Sequence, residues 1–428
     1  MAERPLRVFM IAGEPSGDRL GAALIRGLRA EADQPLHLSG VGGAAMAAEG
    51  LQSLFELDEI TVMGVAEVLP RLRRILARIA EVAAAIVAQS PDLVVSIDAP
   101  DFGLRVAKAA RARFPDGAAR PLFAHYVAPS VWAWRPGRAR KYAARLDHLL
   151  ALLPFEPPYF HAHGLSCDFV GHPIVESMGD AAARAEAAAG FRAAHGIRPE
   201  TPLLAALPGS RRGETSRLAP VFKAAIAELL RLRPDLVRRG LRVVAPLAEG
   251  RAAELLADPE PWPASPVFID PRGRAFAEAE AAKRAALAAA DAALAASGTV
   301  SLELAAACAP MVIAYRVAPA TAFIVRRLVQ IESATLVNLL RPGSEPGAPG
   351  RERLGPPPVP EFFQERCQPN LLAEALSELF PQEGRRSPAR AAQLEAAGAA
   401  LAQLGAGQAP PSRRAARSLL EALARQAR

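Results

Sequence analysis

The feature that most constrains the fold of this chain is a regular alternation of short apolar runs with longer stretches of helical character. The runs are apolar at nearly every position, as expected for strands that are buried on both faces of a parallel sheet. Helical stretches at 66–88, 103–114, 214–232 and 299–307 lie between them. The alternation predicts an α/β protein with doubly wound, Rossmann-like parallel sheets covered by helices. The predicted strands are 6–12, 36–41, 93–97, 122–127 and 149–153, then 203–207, 241–247, 267–269, 292–296 and 311–315.

The length of the chain predicts two domains, because 428 residues exceed what one core ordinarily accommodates. The first strand set ends near 169–173, and an alanine-rich helical stretch precedes the second set. We therefore predict an N-terminal domain over 1–175, a second domain over 176–385, and a C-terminal helical segment over 386–428 that packs back on the N-terminal domain. Ligands of such sheets bind beyond the carboxyl ends of the strands, so two facing sheets would share a central cleft.

The composition is that of a globular protein, with 51% hydrophobic and 22% charged residues. Asp291 interrupts the most alanine-rich stretch, and no apolar stretch reaches the length that spans a bilayer. No export signal is recognisable at the N-terminus, which predicts a cytoplasmic location. Cys167, Cys308, Cys367 and the seven histidines show no metal-ligand spacing, so no metal is expected. The net charge of +7 favours an anionic partner: nucleic acid, a membrane surface or a phosphorylated substrate.

Two strand-to-helix turns, at 207–214 and 296–303, carry the strongest chemical signal. A Gly/Ser/Thr turn that opens a helix presents unpaired backbone N–H groups and the positive end of a dipole, which suits phosphate. Arg211 can pair with phosphate, and Glu303 can accept hydrogen bonds from ribose hydroxyls. Two such turns predict a site for a nucleoside diphosphate. The turn residues expected to bind it are Gly209, Ser210, Ser297, Gly298 and Thr299.

The first half of the chain holds a candidate general base. Asp98 directly follows a predicted buried strand, where the active-site groups of parallel sheets emerge. The alternative is an ordinary turn residue, and Asp101 is better explained as the N-cap of the following helix. The turn at 13–18 lacks the glycine spacing of a dinucleotide site, and its Glu14 and Asp18 would repel a pyrophosphate. It is expected to face a sugar or hydroxyl-bearing substrate, or else to be a glycine-dependent connection only.

An amphipathic stretch at 60–79 admits two interpretations. Its apolar positions fall on one helical stripe, with Arg71, Arg74 and Arg78 along the flank. Such a stretch is either a core-packed surface helix or a basic element that rests on a membrane or holds acyl chains. A second basic run follows Trp132. The residues before it, 126–132, are typical of a strand that leads into a loop of a cleft, so nucleic-acid binding is the weaker interpretation. The stripe comprises Val68, Leu72, Ile75, Leu76 and Ile79, and the second run comprises Arg135, Arg138, Arg140, Lys141 and Arg145.

Several sequence strings, in matching order from about residue 6 to residue 380, closely resemble the lipid-A-disaccharide synthase family. These enzymes are inverting glycosyltransferases of Gram-negative bacteria with two Rossmann-like domains in the GT-B arrangement. The strings are AGEPSGD at 12–18, VMGVAEVL at 62–69, SIDAPDF at 96–102, HYVAPSVWAW at 125–134, GHP at 171–173, LPGSR at 207–211, ASGT at 296–299 and LVNLL at 336–340.

The resemblance implies an enzyme of lipid A and lipopolysaccharide biosynthesis. The donor would be UDP-2,3-diacylglucosamine and the acceptor 2,3-diacylglucosamine 1-phosphate (lipid X). The products would be the β-1,6-linked disaccharide 1-phosphate and UDP. It implies no cofactor and no metal, no nucleic-acid partner, an association with the anionic cytoplasmic face of the inner membrane, and a homodimer as one possible state.

The resemblance also implies roles for individual residues. Asp98 would be the general base, acting alone or with Glu14. Residues 341–357 look inserted relative to the family, which bears on the placement of Gln364. Donor-binding positions would be Arg211, Glu303, Tyr315, Asn338 and Gln364 together with the two turns, and acceptor or membrane positions would be Ser16, Met63, Val65, Val68, Leu69, Arg71, Leu72 and Arg74.

Three alternatives remain at the level of sequence. The first is a related nucleotide-sugar enzyme of the same fold, either a UDP-N-acetylglucosamine epimerase or a peptidoglycan-type transferase. An epimerase needs no acceptor, so product formation from the donor alone would identify it. The second is a non-catalytic protein that retains a nucleotide-sugar pocket, which would bind UDP without turnover. The third, a nicotinamide oxidoreductase, lacks support because no dinucleotide fingerprint is present.

Overall fold

The computed structural model divides the chain into two compact units. The first consists of residues 1–173 and 404–428, and the second of residues 174–403. The predicted C-terminal segment 386–428 is therefore divided between the units after residue 403. The structure describes residues 4–60, 65–115, 119–133, 136–177, 179–258, 260–264, 266–318, 322, 333–346, 354–382 and 387–427, with the backbone alone for 65–71 and 136.

The first unit is built on a seven-stranded sheet with the order β3-β2-β1-β4-β5-β6-β7. All its strand pairs are parallel. Every position of β4 and β5 is buried, as expected for central strands that helices cover on both faces. The strands are β1 (Leu6–Ala12), β2 (Leu36–Val41), β3 (Gln52–Ser53), β4 (Leu93–Ile97), β5 (Leu122–Tyr126), β6 (His148–Ala151) and β7 (Ser166–Phe169).

The second unit is built on a six-stranded sheet with the order β10-β9-β8-β11-β12-β13. Its strand pairs are also all parallel. Strands β8 and β11 are buried throughout and are rich in alanine and leucine. The strands are β8 (Leu203–Leu207), β9 (Arg242–Pro246), β10 (Pro266–Ile269), β11 (Ala292–Ala296), β12 (Met311–Tyr315) and β13 (Glu361–Phe363).

Helices connect the strands of both sheets. They are α1 (Pro15–Glu31), α2 (Ala44–Ala48), α3 (Val65–Gln89), α4 (Pro100–Arg111), α5 (Ala139–Ala143) and α6 (Pro157–His161), then α7 (Ile174–Ser177), α8 (Ala181–Ala194), α9 (Arg212–Leu232), α10 (Pro234–Arg238), α11 (Glu249–Leu256), α12 (Phe276–Ala289), α13 (Val300–Ala306), α14 (Leu336–Leu339), α15 (Pro369–Leu379), α16 (Pro388–Gln403) and α17 (Pro411–Gln426). Helix α16 belongs to the second unit, whereas α17 packs against α1 of the first.

The predicted fold class, two parallel α/β sheets, is confirmed. The predicted strands agree with the observed ones to within about two residues at each end. Strands β3, β7 and β13 were not predicted, because they are short and each contains polar residues. The predicted role of Asp101 is wrong. The cap residue of α4 is Ala99, and Asp101 lies exposed within the first turn of the helix.

Candidate functional site

The strand order of the first sheet reverses between β1 and β4, so these two central strands leave a topological switch point. Ligands of doubly wound sheets bind at the carboxyl ends of the strands beside such a point. The chain places the turn at Gly13 after β1 and Asp98 after β4. The two sequence motifs singled out in this half of the chain therefore meet at one edge of one sheet.

Asp98 stands in an unusual backbone conformation. Its φ is +53° and that of Ala99 is +40°, both in the left-handed region that residues with a Cβ rarely adopt. Such a conformation costs about 1–3 kcal/mol and persists where the surrounding structure enforces it, often at functional sites. The Asp98 backbone N–H donates to the Tyr126 carbonyl at 3.0 Å. The half-buried carboxylate accepts from the Ser16 hydroxyl at 2.9 Å and from the Ala99 N–H at 3.0 Å.

Two glycines of the first turn let α1 approach this strand end. A Cβ on Gly13 would lie 2.1 Å from the Cβ of Ala99, and a Cβ on Gly17 would lie 2.9 Å from the Ile97 carbonyl oxygen. Neither distance is compatible with a side chain. The glycines are thus required by the close contact that brings Ser16 within hydrogen-bond distance of Asp98.

Asp18, at the end of the same motif, points inward. Its buried carboxylate accepts from the backbone N–H groups of Gly43, Ala45 and Met46 at 2.8, 2.9 and 3.1 Å. Because these groups open α2, Asp18 supplies the anion that the N-terminus of that helix favours. Asp18 is therefore a structural residue, and the expected repulsion of a ligand by its charge does not apply. Glu14, in contrast, is half-buried at the N-cap of α1.

A buried histidine supports the strand that carries Asp98. His125 pairs in register with Ser96, and its Nδ1 lies 2.8 Å from the Ser96 hydroxyl. Burial lowers the pKa of His125 to about 4, although the Asp98 carboxylate draws that pKa upward. The imidazole is therefore neutral near pH 7. In the part of the chain that the structure describes, its Nε2 is buried without a hydrogen-bond partner.

The second sheet has its own switch point, between β8 and β11. Strands β8, β11, β12 and β13 are neighbours, and the carboxyl ends of parallel strands meet at one edge of the sheet. That edge brings together the predicted donor-binding residues that directly follow these strands, namely Gly209, Ser210 and Arg211, then Ser297, Gly298 and Thr299, then Tyr315 at the end of its strand, and Gln364.

Glu214 is a further functional candidate, which the sequence motifs did not predict. One carboxylate oxygen accepts from the backbone N–H groups of Ser210 and Arg211, at 3.2 and 3.3 Å. The other accepts from the Tyr315 hydroxyl at 3.4 Å and lies 4.0 Å from the Arg211 guanidinium. The carboxylate thus occupies the N–H groups that were predicted to bind phosphate. The signal for it was the glutamate three residues after the N-cap, a capping-box position.

In the turn after β11, only some of the residues are available to a ligand. The Ser297 N–H donates to the Ala314 carbonyl at 3.2 Å, whereas Gly298 and Thr299 are exposed. Glu303 lies on the first turns of α13, and one of its carboxylate oxygens is 2.5 Å from Lys283 Nζ on α12. A ribose hydroxyl at Glu303 would therefore share this carboxylate with a lysine of the same unit.

Asn338 and Glu361 attach the edge strand β13 to the unit. The buried Asn338 amide donates to the Val359 carbonyl at 2.9 Å and accepts from the Val359 N–H at 3.1 Å. The Glu361 carboxylate accepts from the Thr335 N–H at 2.7 Å and from the Ser333 hydroxyl at 2.7 Å. In this structure Asn338 acts on the backbone next to β13, and its predicted contact with a donor stays a prediction.

Gln364 directly follows β13 in the left-handed conformation, with a φ of +51°. The register pairs Phe363 with Tyr315, so Gln364 emerges beside the end of β12. Arg316 donates to the Cys367 carbonyl at 2.7 Å and so fixes the turn that carries Gln364. Gln364 therefore follows the end of a strand despite the Pro/Gly-rich segment before β13, part of which lies outside the described residues.

The amphipathic stretch forms α3, and its two ends differ. Ile79 is buried and Ile75 half-buried, whereas Leu72 and Leu76, one helical turn apart, are 38% and 47% exposed. Arg74 and Arg78 lie 3.0 and 2.5 Å from the Glu59 carboxylate, so neither is a free cation. The predicted acceptor or membrane residue Met63 lies outside the described part of the chain, as do the side chains of Val65, Val68, Leu69 and Arg71.

Neither a metal cluster nor a membrane-spanning helix occurs in the described residues. No group of three or more His, Cys, Asp or Glu side chains there could hold a metal ion. No described helix combines the length and the hydropathy needed to cross a bilayer.

The fold is similar to those of a solved epimerase and a solved glycosyltransferase. UDP-GlcNAc 2-epimerase from Neisseria meningitidis, bound to UDP-GlcNAc, aligns with a TM-score of 0.58 over 98% of this chain and 100% of its own, at 12% identity. The calicheamicin glycosyltransferase CalG4 aligns with a TM-score of 0.52 over 100% of both chains, at 16% identity. At such low identity these similarities establish the two-sheet fold alone.

Similarity of sequence is far more specific. A family model described as "Lipid-A-disaccharide synthetase" matches residues 8–402. Lipid-A-disaccharide synthase from Ruegeria pomeroyi is 48% identical over 425 residues, 99% of this chain and 96% of its own length. The protein of the same name from Rhodospirillum centenum is 45% identical over 420 residues, 98% of this chain and 95% of its own length. The chain therefore belongs to the lipid-A-disaccharide synthase family of glycosyltransferases.

Proposed function

We propose that the enzyme transfers 2,3-diacylglucosamine from its UDP donor to the 6-hydroxyl of 2,3-diacylglucosamine 1-phosphate. The products are the β-1,6-linked disaccharide 1-phosphate and UDP. The observation that carries this proposal is the placement of Asp98. Its carboxylate follows a central strand at the first switch point, in a left-handed turn that Ser16 and Gly13 support.

In the proposed step, Asp98 takes the proton of the acceptor hydroxyl while the oxygen attacks the anomeric carbon of the donor. The new C–O bond forms as the bond to the diphosphate breaks, and the electron pair leaves with UDP. Attack from the face opposite the leaving group inverts the anomeric centre. Each Asp98 oxygen accepts one hydrogen bond from the described residues, which leaves lone pairs for the proton. Glu14, at the neighbouring turn, is the carboxylate that could act together with Asp98.

The leaving diphosphate is proposed to bind at the switch point of the second sheet. The Arg211 side chain is 77% exposed and is therefore available for a phosphate. The Glu214 carboxylate accepts from the Ser210 and Arg211 N–H groups, so a diphosphate that binds these groups must replace it there. Gly298 and Thr299 lie exposed at the adjacent turn, and Tyr315 and Gln364 border the same edge.

The substrates are nucleotide-sugar and lipid, and contact with the cytoplasmic face of the inner membrane is part of the proposal. The exposed Leu72 and Leu76 support it, because apolar side chains one turn apart suit an acyl chain or a bilayer surface. The proposal includes no metal, since Arg211 and backbone N–H groups supply the positive charge that a leaving diphosphate needs. We expect activity to survive treatment with EDTA, and a loss that Mg²⁺ restores would contradict this part.

The deciding experiment compares the wild-type enzyme with Asp98→Asn. A general base contributes about 10²–10⁴-fold, so we expect turnover to fall by at least that order, with UDP affinity measured by calorimetry unchanged. The assay is mass spectrometry of products from the UDP-sugar and the acceptor. Near-normal turnover of Asp98→Asn would remove Asp98 from the role of base. Conversion of the donor without acceptor would identify an epimerase instead, and UDP binding with no turnover of any acceptor would identify a binding protein.

A further inference from the structure

A strongly basic groove lies on the first unit, between α4 and the residues around α5. It has a volume of about 540 Å³, and five cationic side chains line it against a single carboxylate, that of Asp101. The cations are Arg105 and Lys108 on one wall and Arg138, Lys141 and Arg145 on the other. The proposed reaction uses none of them.

The charges in this groove are mostly uncompensated. Arg138 lies 3.8 Å from Asp101, whose side chain is 84% exposed, so this ion pair is weak. The side chains of Arg105, Lys108, Lys141 and Arg145 form no hydrogen bond or ion pair with any residue that the structure describes. Like charges that converge without internal partners repel one another, and a bound anion relieves that repulsion.

The floor of the groove connects it to the strand of the catalytic base. Tyr142 is buried there, and its ring centroid lies 6.4 Å from that of His125. His125 in turn contacts Ser96, two residues before Asp98. Burial raises the pKa of Tyr142 to about 12, so the phenol keeps its proton and can donate a hydrogen bond to an anion.

The distance from Asp98 suits a ligand that spans one sugar ring. Helix α4 begins two residues after Asp98, and Arg105 lies about 8 Å further along it at 1.5 Å per residue. In the proposed acceptor, the reacting hydroxyl and the 1-phosphate stand at opposite ends of one glucosamine. An acceptor with its hydroxyl at Asp98 therefore reaches the near end of the groove with its phosphate.

We propose that this groove is the binding site for the phosphate monoester of the acceptor, with Arg105 and Arg138, at its near end, as the main ligands. The identity of the ligand rests on the proposed function. The existence of an anion site is inferred from the cationic lining of the groove alone. Arginine binds phosphate through paired N–H groups, which supports the assignment to a phosphate. The groove would thus orient the acceptor and select the phosphorylated sugar over its dephosphorylated form.

The test combines Arg105→Gln and Arg138→Gln with two acceptors, one with the 1-phosphate and one without. The assay uses neutral detergent micelles that contain no anionic lipid. Loss of a charge-assisted contact is expected to raise KM for the phosphorylated acceptor about tenfold in each variant. KM for the UDP-sugar and the rate with the dephosphorylated acceptor are expected to stay unchanged. Arg140→Gln is the matched control, since Arg140 is exposed on α5 but does not line the groove.

Two outcomes would overturn the proposal. An equal loss of activity with both acceptors would show that the groove does not recognise the phosphate. Losses that occur only on vesicles containing anionic phospholipid, and not in micelles, would assign the groove to the membrane surface.

Binding of glucosamine 1-phosphate against glucosamine, measured by calorimetry on the full-length enzyme, separates this proposal from the reaction. Binding of the phosphorylated sugar by the wild type that is lost in Arg105→Gln supports the site, even if no disaccharide forms. Equal binding of the two sugars by the wild type contradicts it.

Discussion

At the scale of single residues, the candidate base depends on a contact between two small residues far apart in the chain. Gly13 and Ala99 face each other so closely that a Cβ on the glycine would lie 2.1 Å from the alanine Cβ. Ala99 and Asp98 both occupy the left-handed region. The space left by Gly13 is therefore what accommodates the strained turn that presents Asp98.

Gly13→Ala is expected to displace this turn, to lower the free energy of unfolding by about 1–3 kcal/mol and to reduce turnover at least tenfold. The double variant Gly13→Ala/Ala99→Gly removes the clashing Cβ, since the next Ala99 atom is 3.6 Å away. It is expected to recover most of both losses. Urea unfolding and the product assay measure them. No recovery in the double variant would show that Gly13 is required for another reason.

Some of these site residues are predictable from the sequence and others are not. Asp98 and Ser297 were predicted because they follow recognisable apolar strands, which is a local signal. The inward orientation of Asp18 was not, because it depends on α2, which lies more than 20 residues further along the chain. The capping role of Glu214 is predictable from the sequence, because the capping-box spacing is a local signal. Its competition with a phosphate for the same N–H groups is visible only in the folded structure.

At the scale of elements, α3 changes character along its length. Its later turns pack in the core through Ile79, Val82 and Ile86, whereas Leu72 and Leu76 stay exposed. The sequence left a core-packed helix and a membrane surface equally open. In the structure the later turns of α3 are core-packed. The exposed Leu72 and Leu76 are the candidate membrane contact.

Leu72→Ser and Leu76→Ser test that contact. Burial of a leucine contributes about 1.5–3 kcal/mol, so each change is expected to weaken binding to vesicles about tenfold or more. The free energy of unfolding should change by less than about 0.5 kcal/mol, because both side chains are exposed. Cosedimentation with vesicles is the measurement, and Leu232→Ser, at a leucine that is 37% exposed in the second unit, is the control. Unchanged cosedimentation of both α3 variants would exclude these leucines from the contact.

The edge strand β13 is a second element whose position was not predictable. It has three residues, and Asn338 joins it to α14 through both polar groups of the Val359 backbone. A strand this short carries no periodic signal, and its place beside β12 follows from packing alone.

Asn338→Ala leaves the N–H and carbonyl of Val359 unpaired in a buried site, which costs about 1–3 kcal/mol for each group. We expect a lower free energy of unfolding and a weaker affinity for UDP, because Gln364 and its turn lose their support. Urea unfolding and calorimetry check these effects. Asn370→Ala, at an exposed asparagine of α15, is the control. Weaker UDP binding with unchanged stability would instead favour a direct contact of Asn338 with the donor.

At the scale of the whole molecule, buried ionisable groups couple stability to pH. His125 has a folded-state pKa of about 4, below the ordinary value of 6.5, because burial disfavours its charged form. Between these two values the unfolded chain binds a proton that the folded protein does not. Stability is therefore fully present above pH 6.5 and declines as the pH falls towards 4.

The expected loss from His125 is about 2 kcal/mol between pH 6.5 and pH 5, at 1.36 kcal/mol for each pH unit. His125→Gln cannot take up this proton, so its free energy of unfolding is expected to depend less on pH by that amount. Urea unfolding of both proteins at pH 7 and pH 5, followed by circular dichroism, measures the difference. The same pH dependence in both would contradict a buried, neutral imidazole.

The two parallel sheets and the strand ends that carry Asp98, Gly209 and Ser297 are predictable from the sequence, because apolar runs and the turns after them are local signals. The sequence strings also indicate the family. Three features are visible in the folded protein alone: Glu214 holds the N–H groups of the second switch point, β13 lies beside β12, and five cations converge between α4 and α5. These features arise where segments distant in sequence pack together, and no pattern within one segment encodes such a contact.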